Sequence, residues 1–159
     1  CPMTSGAGRL FDAVTALTGL CPKASFDSEA PMRLESVINS KTDLYYPFSL
    51  GKTIRFDKTL DALIEDLRHP DIPLISVKFH NTISMIINEV ADKMRSVYSL
   101  DKVVLSGGVF QNKYLLEKSV TKLREKGFNV YVHRLVPSND GGISLGQLAV
   151  ASKFFDICA

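Results

Sequence analysis

The residues best suited by type and spacing to do chemistry lie in the stretch 102–112, KVVLSGGVFQN. There an apolar strand pattern runs into Ser106, Gly107 and Gly108, and an amphipathic helix pattern begins at once. Two consecutive residues without Cβ permit positive φ and a close backbone approach to a bulky anion, and the N–H groups and dipole of the next helix favour negative charge there. The same spacing also serves a tight crossover that binds nothing. A second glycine-rich turn, Ser138-Asn139-Asp140-Gly141-Gly142, separates the following strand pattern from the last helix. Ligands of open α/β sheets sit outside the C-terminal ends of the strands, so the two turns are expected side by side at one site.

The polar residues around these turns each have two readings. Asp140 is a hard oxygen ligand for a cation, or the N-cap of its helix. Asp12 interrupts an apolar helix pattern and Glu35 lies in the next helix; carboxylates there can accept hydrogen bonds from ribose hydroxyls, or stand as solvated acids. Asn112, a turn beyond Gly108, can bond a nucleotide or cap the helix after it. His69, His80 and His133 have no HxxxH or HExxH spacing, which disfavours a self-contained zinc site, and His80 reads as a satisfied core or surface histidine. No Ser/His/Asp or Cys/His arrangement stands out. A P-loop GxxxxGK(S/T) is absent, and neither Gly6-Ala7-Gly8 nor Ser106-Gly107-Gly108 completes a GxGxxG fingerprint.

Around these residues the 159-residue chain, 45% hydrophobic and 23% charged, can bury one ordinary core. No linker, repeat or low-complexity tract divides it, so a single domain is expected. Its 19 basic and 17 acidic residues give a net charge of +2 with no basic window, which argues against a nucleic-acid partner. Apolar runs too short for a membrane span, and the lack of a basic segment leading into an apolar one, predict a cytoplasmic protein. Cys1, Cys21 and Cys158 are odd in number, widely spaced and free of CxxC pairing, so they read as small apolar side chains or incidental thiols.

The positioning elements follow from periodicity. Leu10, Val14, Leu17 and Leu20 predict a helix over Arg9–Leu20, with Thr4 or Ser5 as cap, and a second helix covers Glu29–Ile38. Leu44–Phe48 and Lys52–Phe56 read as a peripheral hairpin turning at Leu50-Gly51. Asp57 or Thr59 caps a helix that stops before Pro70. After Pro73, Ile75, Phe79, Ile83, Ile86, Ile87, Val90, Met94 and Val97 mark the long core helix, with Asn81, Asn88, Asp92 and Lys93 off its stripe. A buried strand at Val103–Leu105, a helix ended by Gly127 and a strand at Phe128–Val132 make a βαβ unit, which demands parallel pairing. The last helix starts around Asp140 and runs to about Phe155. The expected class is α/β, helix-rich, around a small, mostly parallel sheet.

Taken together and in order, four segments resemble one family. They are PMTSGAGRLFDAV at 2–14, Phe79-His80-Asn81, LSGGVFQN at 105–112 and VPSNDGGISLGQ at 136–147, and they are similar to the C-terminal part of the HypF family, the carbamoyltransferases of NiFe-hydrogenase maturation. The resemblance implies a lobe of the actin/Hsp70/sugar-kinase (ribonuclease H-like) superfamily, related to the universal tRNA threonylcarbamoyl transferases, in which ATP-derived ligands sit between two lobes. Carried over by motif, Gly107 and Gly108 contact phosphates, Asn112 contacts the nucleotide, Asp12 and Glu35 hold the ribose, and Asp140 is a metal ligand. Near Glu35, Pro31 stands where the family usually has a small residue.

Other parts of the family have no counterpart here: the acylphosphatase-like segment, the zinc-binding repeats, the carbamoyl-adenylate-forming domain, and the first lobe, whose histidines complete the metal site. Residues 1–159 are thus expected to be the second lobe alone. For the intact enzyme the resemblance implies that carbamoyl phosphate and ATP give carbamoyl-adenylate, whose carbamoyl group passes to the C-terminal cysteine thiolate of the partner HypE. No residue of this chain is implied as the catalytic base. One carboxylate holds a divalent metal weakly and half a cleft does not exclude water, so the alternative is a non-catalytic nucleotide-binding or assembly module that needs the other lobe.

Overall fold

The computed structural model describes residues 6–154, so the expectations for Cys1, Thr4, Ser5 and Cys158 lie outside it. Helix α1 spans Ala7–Leu17 and packs on α2, Glu29–Ser36. Both stop short of their predicted ends. In α1 the N–H groups of Thr18 and Gly19 turn back to Val14 and Ala16, and Gly19 leaves the helix at φ +76°.

The hairpin is smaller and later than predicted: β1, Ser49–Leu50, pairs antiparallel with β2, Ile54–Arg55. Residues 42–46 form no strand because side chains of the long helix take up their backbone groups. Asn81 Nδ2 donates to the carbonyls of Thr42 and Leu44 (2.8 Å each), and Tyr46 N donates to Thr82 Oγ1 (2.8 Å). Asn81 and Asn88, expected off the apolar stripe, are both buried, because the helix is enclosed on more than one side.

Helix α3, Asp57–Asp66, has neither predicted cap. Thr59 Oγ1 instead donates to Pro47 O (2.7 Å), tying the helix to the extended segment. Helix α4, Ile72–Tyr98, is capped by Asp71, which accepts from Leu74 N (3.1 Å), and holds Pro73 in its first turn, where a missing N–H costs nothing. Ile75, Phe79, Ile83 and Ile86 meet Phe11, Val14, Leu34, Leu63 and Leu115 in the main core. Val97, at the far end of the stripe, is 60% exposed.

Strands β3, Lys102–Leu105, and β4, Asn129–Val132, are parallel, in register from Lys102↔Asn129 to Leu105↔Val132, with α5, Lys113–Glu125, between them in sequence. Gly127 at φ +80° ends α5 as predicted. Alternate residues face opposite sides of the sheet, so Val103, Leu105, Val130 and Val132 pack toward Ala91 and Leu123, while Val104 and Tyr131 face outward. The predicted buried strand is thus buried on one face only, with Val104 68% exposed. Helix α6, Ile143–Phe154, starts after a 3-10 turn at Asp140–Gly142 and buries none of its residues. Among the described residues no helix is long and apolar enough to cross a membrane.

Candidate functional site

The glycine turn after β3 is held at both ends. Gly107 sits at φ +109°, a conformation L side chains rarely adopt, and its N–H donates to Ser138 O (2.9 Å), which brings the two glycine-rich turns together as predicted. This bond engages the Gly107 N–H within the protein. Gly108–Gln111 forms a 3-10 turn in which Phe110 N bonds back to Gly107 O (3.1 Å), leaving the N–H groups of Gly108 and Val109 at its open end. A Cβ on Gly108 would touch only Asn139 Cβ, at 3.9 Å, so the space above that backbone is empty of protein.

The second turn is glycine-rich for a different reason. A Cβ on Gly142 would lie 2.9 Å from Pro137 O, so the chain's own packing demands glycine there, and one on Gly141 would press on Pro137 Cγ at 3.0 Å. Asn139, not Asp140, is the N-cap, its Oδ1 accepting from Gly141 N (3.1 Å). Asp140 is exposed and does not line the cavity between α1, α2 and the first glycine turn, and no group of three or more His, Cys, Asp or Glu among the described residues is placed to hold a metal ion.

A cavity of about 480 Å³ opens between α1, α2 and the first glycine turn, a volume in the range of small-ligand sites. Gly8 and Asp12 line it from α1, Met32 and Glu35 from α2, and Gly108 and Asn112 from the turn. Four of the six site residues singled out from sequence are thus gathered in one cavity; Gly107 lies just behind the turn, and Asp140 stands apart. The two carboxylates are already engaged in part. Asp12 pairs with Arg9 (3.0 Å), and Glu35 Oε1 accepts from Tyr114 N (2.9 Å), covering an N–H in the first turn of α5. Asn112 takes its capping role, with Oδ1 accepting from Leu115 N (2.8 Å).

Behind Asn112 lies His80, 0% exposed. Its Nδ1 donates to Ser76 O (2.8 Å), and Asn112 Nδ2 donates to its Nε2 (2.8 Å). Burial pushes its pKa down to about 4, so the ring is neutral at pH 7. Of the two places the sequence allows a satisfied His80, core or surface, the structure has the core, and its link to the cavity through Asn112 is not evident from the sequence. Also unforeseen is the contact between His133 Nε2 and Ser106 Oγ (2.9 Å) at the ends of the two parallel strands. The pairing Leu105↔Val132 makes the next residue of each strand neighbours, a consequence available only once register is known.

Residues 1–147 match a family described as the carbamoyltransferase, Kae1-like domain, second subdomain. Carbamoyltransferase HypF of Synechocystis sp. is 37% identical over 152 residues, covering 92% of this chain and 19% of the relative. Carbamoyltransferase HypF of Rhizobium leguminosarum is 33% identical over 153 residues, covering 96% and 20%. A crystal structure of full-length HypF in the phosphate- and nucleotide-bound form superposes with a TM-score of 0.91 at 41% identity, over 96% of this chain and 21% of that one. The HypF of T. kodakarensis, at 24% identity and a TM-score of 0.84, shares the fold. The chain spans about a fifth of the length of the curated relatives it matches. It belongs to the HypF carbamoyltransferase family, whose second Kae1-like subdomain it matches across nearly all of its length.

Proposed function

We propose that this chain is the second lobe of a two-lobed, actin/Hsp70/sugar-kinase-like domain of a carbamoyltransferase, and that its cavity holds the nucleotide part of ATP or carbamoyl-adenylate. The observation that carries this reading is the gathering of Asp12, Glu35, Gly108 and Asn112 around one cavity of ligand size. The empty space over Gly108 fits a phosphoryl group, with the N–H groups of Gly108 and Val109 as donors and the polarity of a helical turn's open end in support. Asp12 and Glu35 lie across the cavity, where carboxylate oxygens accept from ribose hydroxyls. The nucleotide-bound state of the HypF relative supports the same assignment.

In the intact enzyme, this lobe orients carbamoyl-adenylate made from carbamoyl phosphate and ATP. The C-terminal cysteine thiolate of a HypE-type partner attacks its carbamoyl carbon, forming the C–S bond as the carbamoyl C–O bond to phosphate breaks and AMP leaves. This chain binds and orients; the nucleophile is the partner's. A divalent metal does not fit the described residues by themselves, because Asp140 is a single exposed carboxylate. If Asp140 ligates a metal, the other ligands come from elsewhere.

A second reading, a nucleotide-binding or assembly module without turnover, has its own observation. Helix α6 is apolar on opposite faces and buries nothing, and Val104 and Tyr131 leave the outer sheet face bare. The other subdomain is the proposed cover of that surface, and without it the cleft has one wall. Calorimetric titration of the chain with AMP and ATP, repeated on Gly108→Val, tests both readings. Binding by the wild type that is lost in a folded Gly108→Val supports the nucleotide assignment; no wild-type binding in the millimolar range contradicts it. Release of products from ATP and carbamoyl phosphate by the chain alone contradicts the second reading.

A further inference from the structure

We propose that His80 is a positioning residue for the glycine turn. From a buried place outside the cavity it fixes Asn112, and through Asn112 the backbone of Gly108–Gln111 that faces the ligand's phosphoryl group. The inference rests on the nucleotide reading above and adds a residue that contacts no ligand.

The hydrogen bonds admit one polarity. Ser76 O can only accept, so His80 Nδ1 carries the proton, and the neutral ring leaves Nε2 as an acceptor for Asn112 Nδ2. That turns Asn112 Oδ1 to the N–H of Leu115, at 2.8 Å. Reversing the amide would set its NH₂ against that N–H and leave two buried donors facing each other. The imidazole cannot turn away, being edge-on to Phe11 (centroids 5.1 Å apart) and Tyr114 (5.6 Å). Asn112 is also where the turn closes, its own N–H donating to Val109 O (3.2 Å), while Gly107 N–H on Ser138 O holds the opposite end. His80 therefore determines one of the two fixed points between which the N–H groups of Gly108 and Val109 are displayed.

The test is calorimetric titration of the 159-residue chain with AMP and with adenosine, for the wild type, His80→Phe and His80→Gln. Phenylalanine fills the slot between Phe11 and Tyr114 but offers no acceptor, whereas glutamine presents a carbonyl oxygen near the place of Nε2. The expected result is a roughly tenfold loss of AMP affinity in His80→Phe, the equivalent of one hydrogen bond, with adenosine affinity changed by less than about threefold and most of the AMP affinity restored in His80→Gln. An unchanged AMP affinity in His80→Phe, or equal losses for AMP and adenosine, overturns the positioning role. Should His80→Phe not fold, imidazole ¹⁵N spectra of the wild type decide: a bare Nε2 that shifts when AMP is added supports the role, and a protonated Nε2, or no shift at AMP saturation, refutes it. A wild type that binds no AMP removes the nucleotide reading itself, which is a different failure from AMP binding indifferent to residue 80.

Discussion

The two ends of this molecule are built on opposite terms. Around α1 to α5, the side chains of Phe11, Leu34, Leu63 and Leu115 are 0% exposed, and the polar side chains of His80, Asn81 and Asn112 set among them are hydrogen-bonded. Beyond β4, Leu135 in the connecting segment is 99% exposed, and Leu148 and Phe154 are 68% and 81% exposed on a helix, α6, that is apolar on more than one face. The first end satisfies its own packing and shapes the cavity. The second carries apolar surface that a soluble helix normally buries. The glycine-rich turns meet at the seam and divide the same way: Gly142 is glycine because the protein has no room for a Cβ, and Gly108 is glycine where the protein has room to spare.

This contrast makes unequal predictions. The largest effect belongs to the packed end. Phe79→Ala removes a ring set edge-on to Phe11 with centroids 5.0 Å apart, and is expected to destabilise the chain by about 3–5 kcal/mol in denaturant unfolding. A loss below 1 kcal/mol, on the order of a surface change, would break the comparison.

Next comes pH. The folded His80 pKa of about 4 lies below the value of about 6.5 for an unfolded histidine. The unfolded chain therefore binds the proton first. The stability that neutral His80 contributes is complete above about pH 6.5 and declines as pH falls toward 4, by roughly 3 kcal/mol in all. Denaturation midpoints measured across that window should fall with pH, and His80→Phe should flatten the part of the slope due to this residue.

Smaller still is the contrast between the turns. Gly142→Ala forces a Cβ against the Pro137 carbonyl and should cost about 1–3 kcal/mol, whereas Gly108→Ala should change stability by less than about 0.5 kcal/mol while weakening AMP binding. Thermal unfolding and titration of the two variants separate structural glycine from ligand-facing glycine. At the bare end, Leu148→Ser should leave stability within about 0.5 kcal/mol of wild type; a drop of several kcal/mol would mean that α6 is packed after all.

Much of this was legible in the sequence, for identifiable reasons. The 3.6-residue stripes placed α1, α4 and α5, and the strand–glycine–helix succession placed the parallel pair and both turns, because these signals are local. What periodicity missed depended on contacts distant in sequence. Residues 44–48 have the composition of a strand, but Asn81 and Thr82, more than 35 positions away, take the backbone groups a sheet would have used. Val104 looked buried because a strand of apolar residues does not say which of its faces is covered. Within the site, the motif resemblance pointed to Gly108, Asn112, Asp12 and Glu35, whose residue types alone had two readings each, and the fold gathers all four around one cavity. They did not show that Asn139 replaces Asp140 as the cap, that Gly107 gives its N–H to Ser138, or that His80 reaches the cavity through Asn112.

The central claim is that the packed end holds a nucleotide across the first glycine turn. Titration of the ¹⁵N-labelled chain with AMP, followed residue by residue by NMR, tests it most directly. The account predicts saturable shifts centred on Gly108, Val109 and Asn112, extending to Asp12 and Glu35, with Ile143–Phe154 unmoved. Shifts confined to α6, or none at millimolar AMP, would contradict it.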